Sequence, residues 1–210
     1  MQRLISRRQN LSPRITDSIF MDRGRQFVDR LQWSLRVTQQ GHEIDEYDDD
    51  QSEYLIVHRH GKHMGSCRVR PTTCSTMIAD HFLDSFPGAA EFLRLQKGRL
   101  FELTRFCRAP DISVDESKVM LENISQLMDE FRDQHKLCGF VAVVFPHVAR
   151  FMDKIGMRYL LISKSSISGE KAYLICITQA TTPAKNQKPK AIGEPVDTPR
   201  VETERNLVAA

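Results

Sequence analysis

No stretch of this chain is apolar over the roughly 18 residues that a membrane-crossing helix requires, so no spanning helix is expected. Cysteine is sparse and unpatterned: five residues, at 67, 74, 107, 138 and 176, without a C-x-x-C pair. An odd, scattered set argues against a disulfide framework or a zinc knuckle and fits the reducing cytoplasm. Charge of one sign is lacking too, since 30 basic and 27 acidic side chains leave only +3, too mild for a nucleic-acid binder. Neither G-x-G-x-x-G nor G-x-x-x-x-G-K-[ST] occurs, so dinucleotide and nucleoside-triphosphate chemistry lack their phosphate cradle. G-x-S-x-G is absent, and with it the usual serine-nucleophile turn.

What is present is unevenly distributed. Residues 43–50 (EIDEYDDD) carry six carboxylates in eight positions. Residues 181–210 hold four of the nine prolines and no aromatic residue, a composition that cannot bury enough surface to order itself. The boundary is therefore placed near Ala180, giving one domain over 1–180 and a disordered tail over 181–210. Arg3, Arg7, Arg8 and Arg14 precede the first acid, Asp17, and read as a basic, frayed start rather than an organelle transit peptide.

Periodicity and punctuation suggest the elements. Residues 17–32 look helical but are interrupted by Gly24. Tyr54–His58 and Met64–Arg70 alternate as strands around a turn at His60-Gly61-Lys62. A helix is expected over Ser75–Phe86 with Pro87-Gly88 as its stop, then a strand over Leu100–Arg108. Ser113-x-x-Glu116 is a capping-box pattern, followed at helical spacing by Met120, Ile124, Leu127, Met128 and Phe131. Gly139–Phe145 reads as a buried strand, Pro146 opens a helix to about Ile155, and Tyr159–Ser163 and Ala172–Thr178 read as strands. The alternation gives an α/β fold with a mixed sheet and packed helices.

Four fragments carry the chemistry: Arg23-Gly24-Arg25-Gln26-Phe27 running on to Trp33, Glu43-Ile44-Asp45-Glu46-Tyr47-Asp48, Gly65-Ser66-Cys67-Arg68, and Glu102-Leu103-Thr104-Arg105. Arg23 and Phe27 share a helix face; they are either a surface arginine beside core aromatics or, with Trp33, the wall of a pocket for a cationic, planar ligand. The acidic run is either a solvated loop or a source of anions, from Asp45 and Asp48, for a buried cation; Asp49, Asp50 and Glu53 are assigned to solvent. Glu102 and Arg105, three apart, would point to opposite faces of a regular strand, so an irregularity is expected at 103–105 if both line one site. Failing that, Arg105 faces away and holds the acidic loop by pairing with Asp45 or Asp48. His58, His60, His63 and Cys67 crowd the first hairpin without a standard metal-ligand spacing and are read as an exposed tip.

Together these fragments resemble the acyl-homoserine lactone synthases, the LuxI-type enzymes that make quorum-sensing signals. The E-x-D-x-Y-D pattern is near-verbatim, GSCRVRPT matches G-x-x-R-x-x-P-T, and the match extends over about residues 15–165. The resemblance implies a mostly antiparallel sheet in an N-acetyltransferase-like fold and a soluble acyltransferase without a metal or prosthetic group. It implies S-adenosylmethionine as amine donor, at Arg23, Phe27, Trp33, Asp45 and Asp48. The acyl donor would be a fatty acyl thioester of acyl carrier protein or coenzyme A. Glu102, Arg68 and Arg105 would be the catalytic set, with Glu102 as base directly or through water, and backbone amides near 105–107 as oxyanion donors. Apolar wall candidates are Met77, Phe82, Phe86, Leu121, Met128, Phe140, Val143 and Phe145. The stretch VAVVF lacks a hydroxyl and points to an unsubstituted acyl chain. Arg150, Lys154 and Arg158 form a basic stripe that either docks an acidic carrier protein or is simply solvated. Another N-acyltransferase of the same fold, or a non-catalytic ligand-binding module, remains open at this point.

Overall fold

The computed structural model describes residues 1–180 apart from Ser168; the expected tail over 181–210 lies outside the described residues. Seven strands form one sheet in the order β1-β2-β3-β4-β5-β7-β6, comprising β1 (Gln2–Arg7), β2 (Glu53–Arg59), β3 (Lys62–Pro71), β4 (Leu100–Arg108), β5 (Gly139–Val144), β6 (Arg158–Ile167) and β7 (Glu170–Gln179). Only β4 and β5 run parallel; the other neighbours are antiparallel. This is the mixed α/β sheet expected from the sequence pattern, with the mostly antiparallel pairing that the family resemblance implies. The basic N-terminus is not frayed: it is edge strand β1, registered against β2 from Gln2↔His58 to Arg7↔Glu53.

Among the described residues four α-helices cover the two faces: α1 (Pro13–Arg23), α2 (Ala89–Leu95), α3 (Val114–Gln134) and α4 (Pro146–Lys154). The capping box at the start of α3 is formed, and its apolar stripe packs with Leu55, Val57, Cys67, Val69 and Phe140 of the sheet. Gly65 is needed there, because a Cβ on it would meet Met120 Sδ at 2.3 Å. On the opposite face α1 covers Tyr54 and Ile56 through Ile15, Ile19 and Phe20. Ile78, Phe86 and Ala89 cover Leu100, Val141 and Leu174 farther along that face.

Two helix expectations need correction. The helix expected over 17–32 starts earlier, at Pro13 after the Ser12 cap, and from Gly24 to Arg30 it widens into a π-helix. Gly24 marks the change because the Gly41 carbonyl oxygen lies 2.2 Å from where its Cβ would be. The helix expected over 75–86 is a short π turn (Ile78–Phe82) and a 3-10 turn (Leu83–Ser85), and α2 begins after Gly88. Its apolar residues turn toward the sheet individually instead of forming one helical stripe.

Two departures from regular pairing shape the centre of the sheet. Arg68 pairs with Thr104 and Ser66 with Cys107, so Arg105 and Phe106 together oppose Cys67 in a bulge at the expected place. Arg105 is left-handed there, with φ 52°. The β4–β5 ladder spans only Leu100–Glu102 against Gly139–Val141. Past Glu102 the two strands lose their pairing, leaving a gap beside the bulge.

Candidate active site

Pairing and alternation put Arg68, Arg70, Glu102 and Thr104 on one face of the sheet, with Tyr54 opposite Arg68. The acidic loop lies over that face, held to α1 by the Glu43 N–H donating to the Phe20 carbonyl at 3.1 Å. Three arginines and three carboxylates then interleave in a buried cluster. Arg23 donates to Glu43 at 2.6 Å and to both oxygens of Asp48 at 2.8 and 2.9 Å. Arg68 reaches Asp45 and Asp48, the latter at 2.9 Å, and its Nε donates to Thr104 Oγ1 at 3.1 Å. Arg105 pairs with Glu43 at 3.0 Å and Asp45 at 2.8 Å. The cluster is balanced in charge, three guanidiniums against three carboxylates.

Burial alone would raise the Asp48 pKa, but Arg23 and Arg68 outweigh it and hold the carboxyl well below the usual carboxylate range. The Tyr54 hydroxyl, donating to Asp48 at 2.6 Å, is pushed up by burial and by that anion. Asp45 has the most exposed side chain of the three carboxylates, at 13%, against 1% for Glu43 and 0% for Asp48. It is thus the carboxylate of the cluster most open to solvent.

Glu102 is buried, and its carboxylate accepts the main-chain N–H of Met77 at 3.1 Å and of Ile78 at 2.7 Å. Burial raises its pKa against the opposing pull of these amides, Thr76 and Arg68. Glu102 therefore fixes the 76–78 turn, which brings Met77 Sδ to 3.6 Å from Arg68 and 3.5 Å from Arg105.

Several expected residues sit differently. Phe27 and Trp33 do not enclose a ligand slot: their rings stack on each other, 5.1 Å apart and 8° from parallel, because the π segment turns the chain back at Leu31 and the Trp33 N–H donates to the Phe27 carbonyl. Arg105 lies 5.7 Å from the Phe27 ring centre, and the Trp33 ring remains part-exposed. Asp49, assigned to solvent, pairs with Arg70, which also donates to the Ser75 carbonyl at 2.6 Å. The eight wall candidates are not brought to one pocket. Leu121, Met128 and Phe140 belong to the α3 side, Phe82, Phe86 and Val143 to the opposite side, and Met77 and Phe145 to neither cluster. Arg150 and Lys154 are exposed on α4, with Arg158 exposed at the start of β6. His63 is not at an exposed tip but buried, while His60 is exposed. Among the described residues no group of three His, Cys, Asp or Glu side chains is placed to hold a metal, and no helix is long and apolar enough to cross a membrane.

Glu43 was not singled out by the sequence reading, although it opens the same acidic pattern. The signal that could have found it is three candidate arginines, Arg23, Arg68 and Arg105, set against only Asp45 and Asp48.

The autoinducer synthase family model matches residues 8–188. An acyl-homoserine-lactone synthase of Vibrio anguillarum is 30% identical over 139 residues, covering 62% of this chain and 67% of the relative. One from Dickeya dadantii is 27% identical over 164 residues, covering 76% and 74%. The solved structure of BjaI, a CoA-dependent acyl-homoserine lactone synthase, with SAM and isopentyl-CoA, superposes with a TM-score of 0.67 at 18% identity, covering 83% of this chain and 82% of that one. With this family match over most of its length, the chain belongs to the autoinducer synthases, the acyltransferases that make acyl-homoserine lactones.

Proposed function

We propose that the chain makes an N-acyl-L-homoserine lactone from S-adenosylmethionine and a fatty acyl thioester, on acyl carrier protein or coenzyme A. The observation that carries this reading is the buried, charge-balanced cluster of Arg23, Arg68 and Arg105 with Glu43, Asp45 and Asp48, set beside the gap between β4 and β5. The amino-acid end of S-adenosylmethionine can exchange into such a cluster, its carboxylate taking an arginine and its ammonium taking Asp45. The sulfonium's remaining positive charge is balanced once the ammonium gives up its proton. The outer face of the stacked Trp33 receives the adenine, and Arg23, Phe27 and Asp48 hold the frame around it. BjaI, which shares the fold, is a relative solved with SAM and an acyl-CoA.

The α-amine, with a pKa of about 7.7–8.0, is mostly protonated at neutral pH and must lose a proton before attack. Glu102, with its pKa raised by burial, is the candidate base, directly or through a water. The amine attacks the thioester carbonyl, the oxyanion is met by amides of the bulge near 105–107, and the thiol leaves as the amide forms. A carboxylate oxygen of the same methionine unit then displaces methylthioadenosine at the γ-carbon, closing the lactone by proximity. No prosthetic group enters this scheme. The acyl chain enters the β4–β5 gap among the two sets of wall residues, and the hydroxyl-free β5 favours an unsubstituted chain. Residues 1–180 are the catalytic unit, and the reaction belongs in the cytoplasm, where both substrates are made.

Purified protein mixed with S-adenosylmethionine and C4–C18 acyl thioesters, with and without a 3-oxo group, tests the whole scheme by mass spectrometry. Methylthioadenosine and lactone should appear in equal amounts, both falling by about 100-fold or more in Glu102→Gln. A chain ending at Ala180 should give the same products, and fractionated cells should show the protein with the cytoplasmic pool. Free thiol without methylthioadenosine would assign the chain to acylation of some other amine.

A further inference from the structure

Three buried polar side chains take no part in the chemistry above and meet at the joint between α1 and β3. His63 Nδ1 lies 2.9 Å from Asp22 Oδ2, and its Nε2 lies 3.0 Å from Ser66 Oγ. All three residues are buried. An ionised carboxylate only accepts, so Nδ1 carries the proton toward Asp22; in the neutral tautomer Nε2 then accepts from the Ser66 hydroxyl. The main-chain N–H of His63 donates to Ser18 Oγ at 2.9 Å. Ser18 and Asp22 are one turn apart, so a single face of α1 grips β3 beside its bulge at His63–Met64.

Such a trio does little for stability. Desolvation offsets its bonds, and apolar side chains of similar volume would fold about as well. What it does supply is a fixed placement of α1 over β3, and both halves of the charged cluster depend on that placement. The C-terminal end of α1 carries the acidic loop through the Phe20 carbonyl and the close approach of Gly41 to Gly24. Arg23, next to Asp22, holds Glu43 and Asp48. Arg68, two residues beyond Ser66, must reach Asp45 and Asp48 from the strand side. A shift of α1 along β3 would separate Asp48 from one of its two arginines.

We propose that Asp22, His63 and Ser66 are positioning residues that lock α1 to β3 and so keep the acidic loop in register with Arg68 for S-adenosylmethionine. The order Ser66–His63–Asp22 is also that of a nucleophilic triad. Ser66, however, is only 2% exposed, and no donor substrate can approach it. The proposal rests on reading the acidic loop as the adenosylmethionine site, and its test separates the two.

The combined variant Asp22→Leu/His63→Leu/Ser66→Ala removes all three polar groups at once and leaves none of the trio unpaired. It should melt within a few degrees of the parent while amides of residues 43–50 exchange about ten-fold faster. Its KM for S-adenosylmethionine should rise about ten-fold with the acyl-donor KM within about two-fold. His63→Asn, which keeps an N–H donor toward Asp22, should recover most of both effects, and His63→Gln, which favours the Ser66 side, should not. If the combined variant does not fold, the Asn/Gln pair makes the same comparison within one side chain. Unchanged loop exchange, a fall in kcat with KM untouched, or covalent capture of Ser66 by a fluorophosphonate would each overturn the proposal. Hydrogen exchange needs no ligand, so a parent protein that does not bind S-adenosylmethionine would sink the donor-site reading while the joint is still scored.

Discussion

Asp48 is the residue on which the charged cluster turns. It accepts from Arg23, Arg68, Tyr54 and the Asp45 N–H, all between 2.6 and 2.9 Å, and has no exposed side-chain surface. Because its folded pKa is depressed, its contribution to stability is fully present above the unfolded value of about 3.9 and is lost as pH falls through the folded value. Asp48→Asn leaves Arg23 and Arg68 short of an anion, a break that costs about 3–5 kcal/mol for a buried pair. Melting curves should show the full deficit from pH 7 down to about 5, narrowing only below about 4, where the unfolded parent takes up a proton that folded Asp48 still resists. A deficit that shrinks already between pH 7 and 6 would mean another group dominates. The importance of Asp48 was legible through the family resemblance, in the E-x-D-x-Y-D pattern, because carboxylate density alone fits a solvated loop equally well. The use of Asp49 by Arg70 was not: alternation places Arg70 on the same strand face as Arg68 but says nothing of how the loop bends back to meet it.

At the scale of elements, what could be read depended on whether a segment answers to its own pattern or to a distant partner. Strand β4 and helix α3 agree with their patterns, one by composition and the other by its capping box and stripe. Strand β1 is polar and basic along much of its length and becomes a strand only because β2 offers it an edge. The bulge at Arg105 was legible from two functional side chains three apart, whereas the Phe27–Trp33 stack needs the π segment, which no periodicity announces. Gly24 is where the two kinds of information conflict. Helix propensity alone says that Gly24→Ala should stabilise by about 1 kcal/mol. The Gly41 carbonyl 2.2 Å from the new Cβ says otherwise, since neither partner is a flexible side chain. Overpacking of this kind costs about 1–3 kcal/mol and should outweigh the propensity gain. Gly24→Ala should therefore lower the melting temperature and raise the KM for S-adenosylmethionine; a stabilised variant with native KM would show that the loop does not depend on this contact.

For the whole molecule, the sheet divides the labour. One face beneath α1 and the acidic loop gathers the charges, the face beneath α3 is apolar, and β4 and β5 part from each other past Glu102. Helix α4 follows β5 directly, so its exposed side stands at the far end of that strand. Arg150 and Lys154 share that side one turn apart, Arg158 lies just beyond, and among the described residues none of the three is in an ion pair. Three unpaired cations there would attract an acidic carrier protein through long-range charge, an effect that salt screens over about 8–10 Å. A coenzyme A thioester is also anionic, through its phosphates, but it offers no extended acidic surface to meet three spaced cations. Arg150→Glu/Lys154→Glu should thus raise the KM for acyl carrier protein thioesters by about ten-fold at low salt, with a smaller rise for acyl-coenzyme A and the KM for S-adenosylmethionine nearly unchanged. The gap between variant and parent should close as salt is raised, because screening removes what the parent had. Equal losses with both acyl donors would place the two side chains in the acyl site itself, and no loss with either would leave them a solvated helix face.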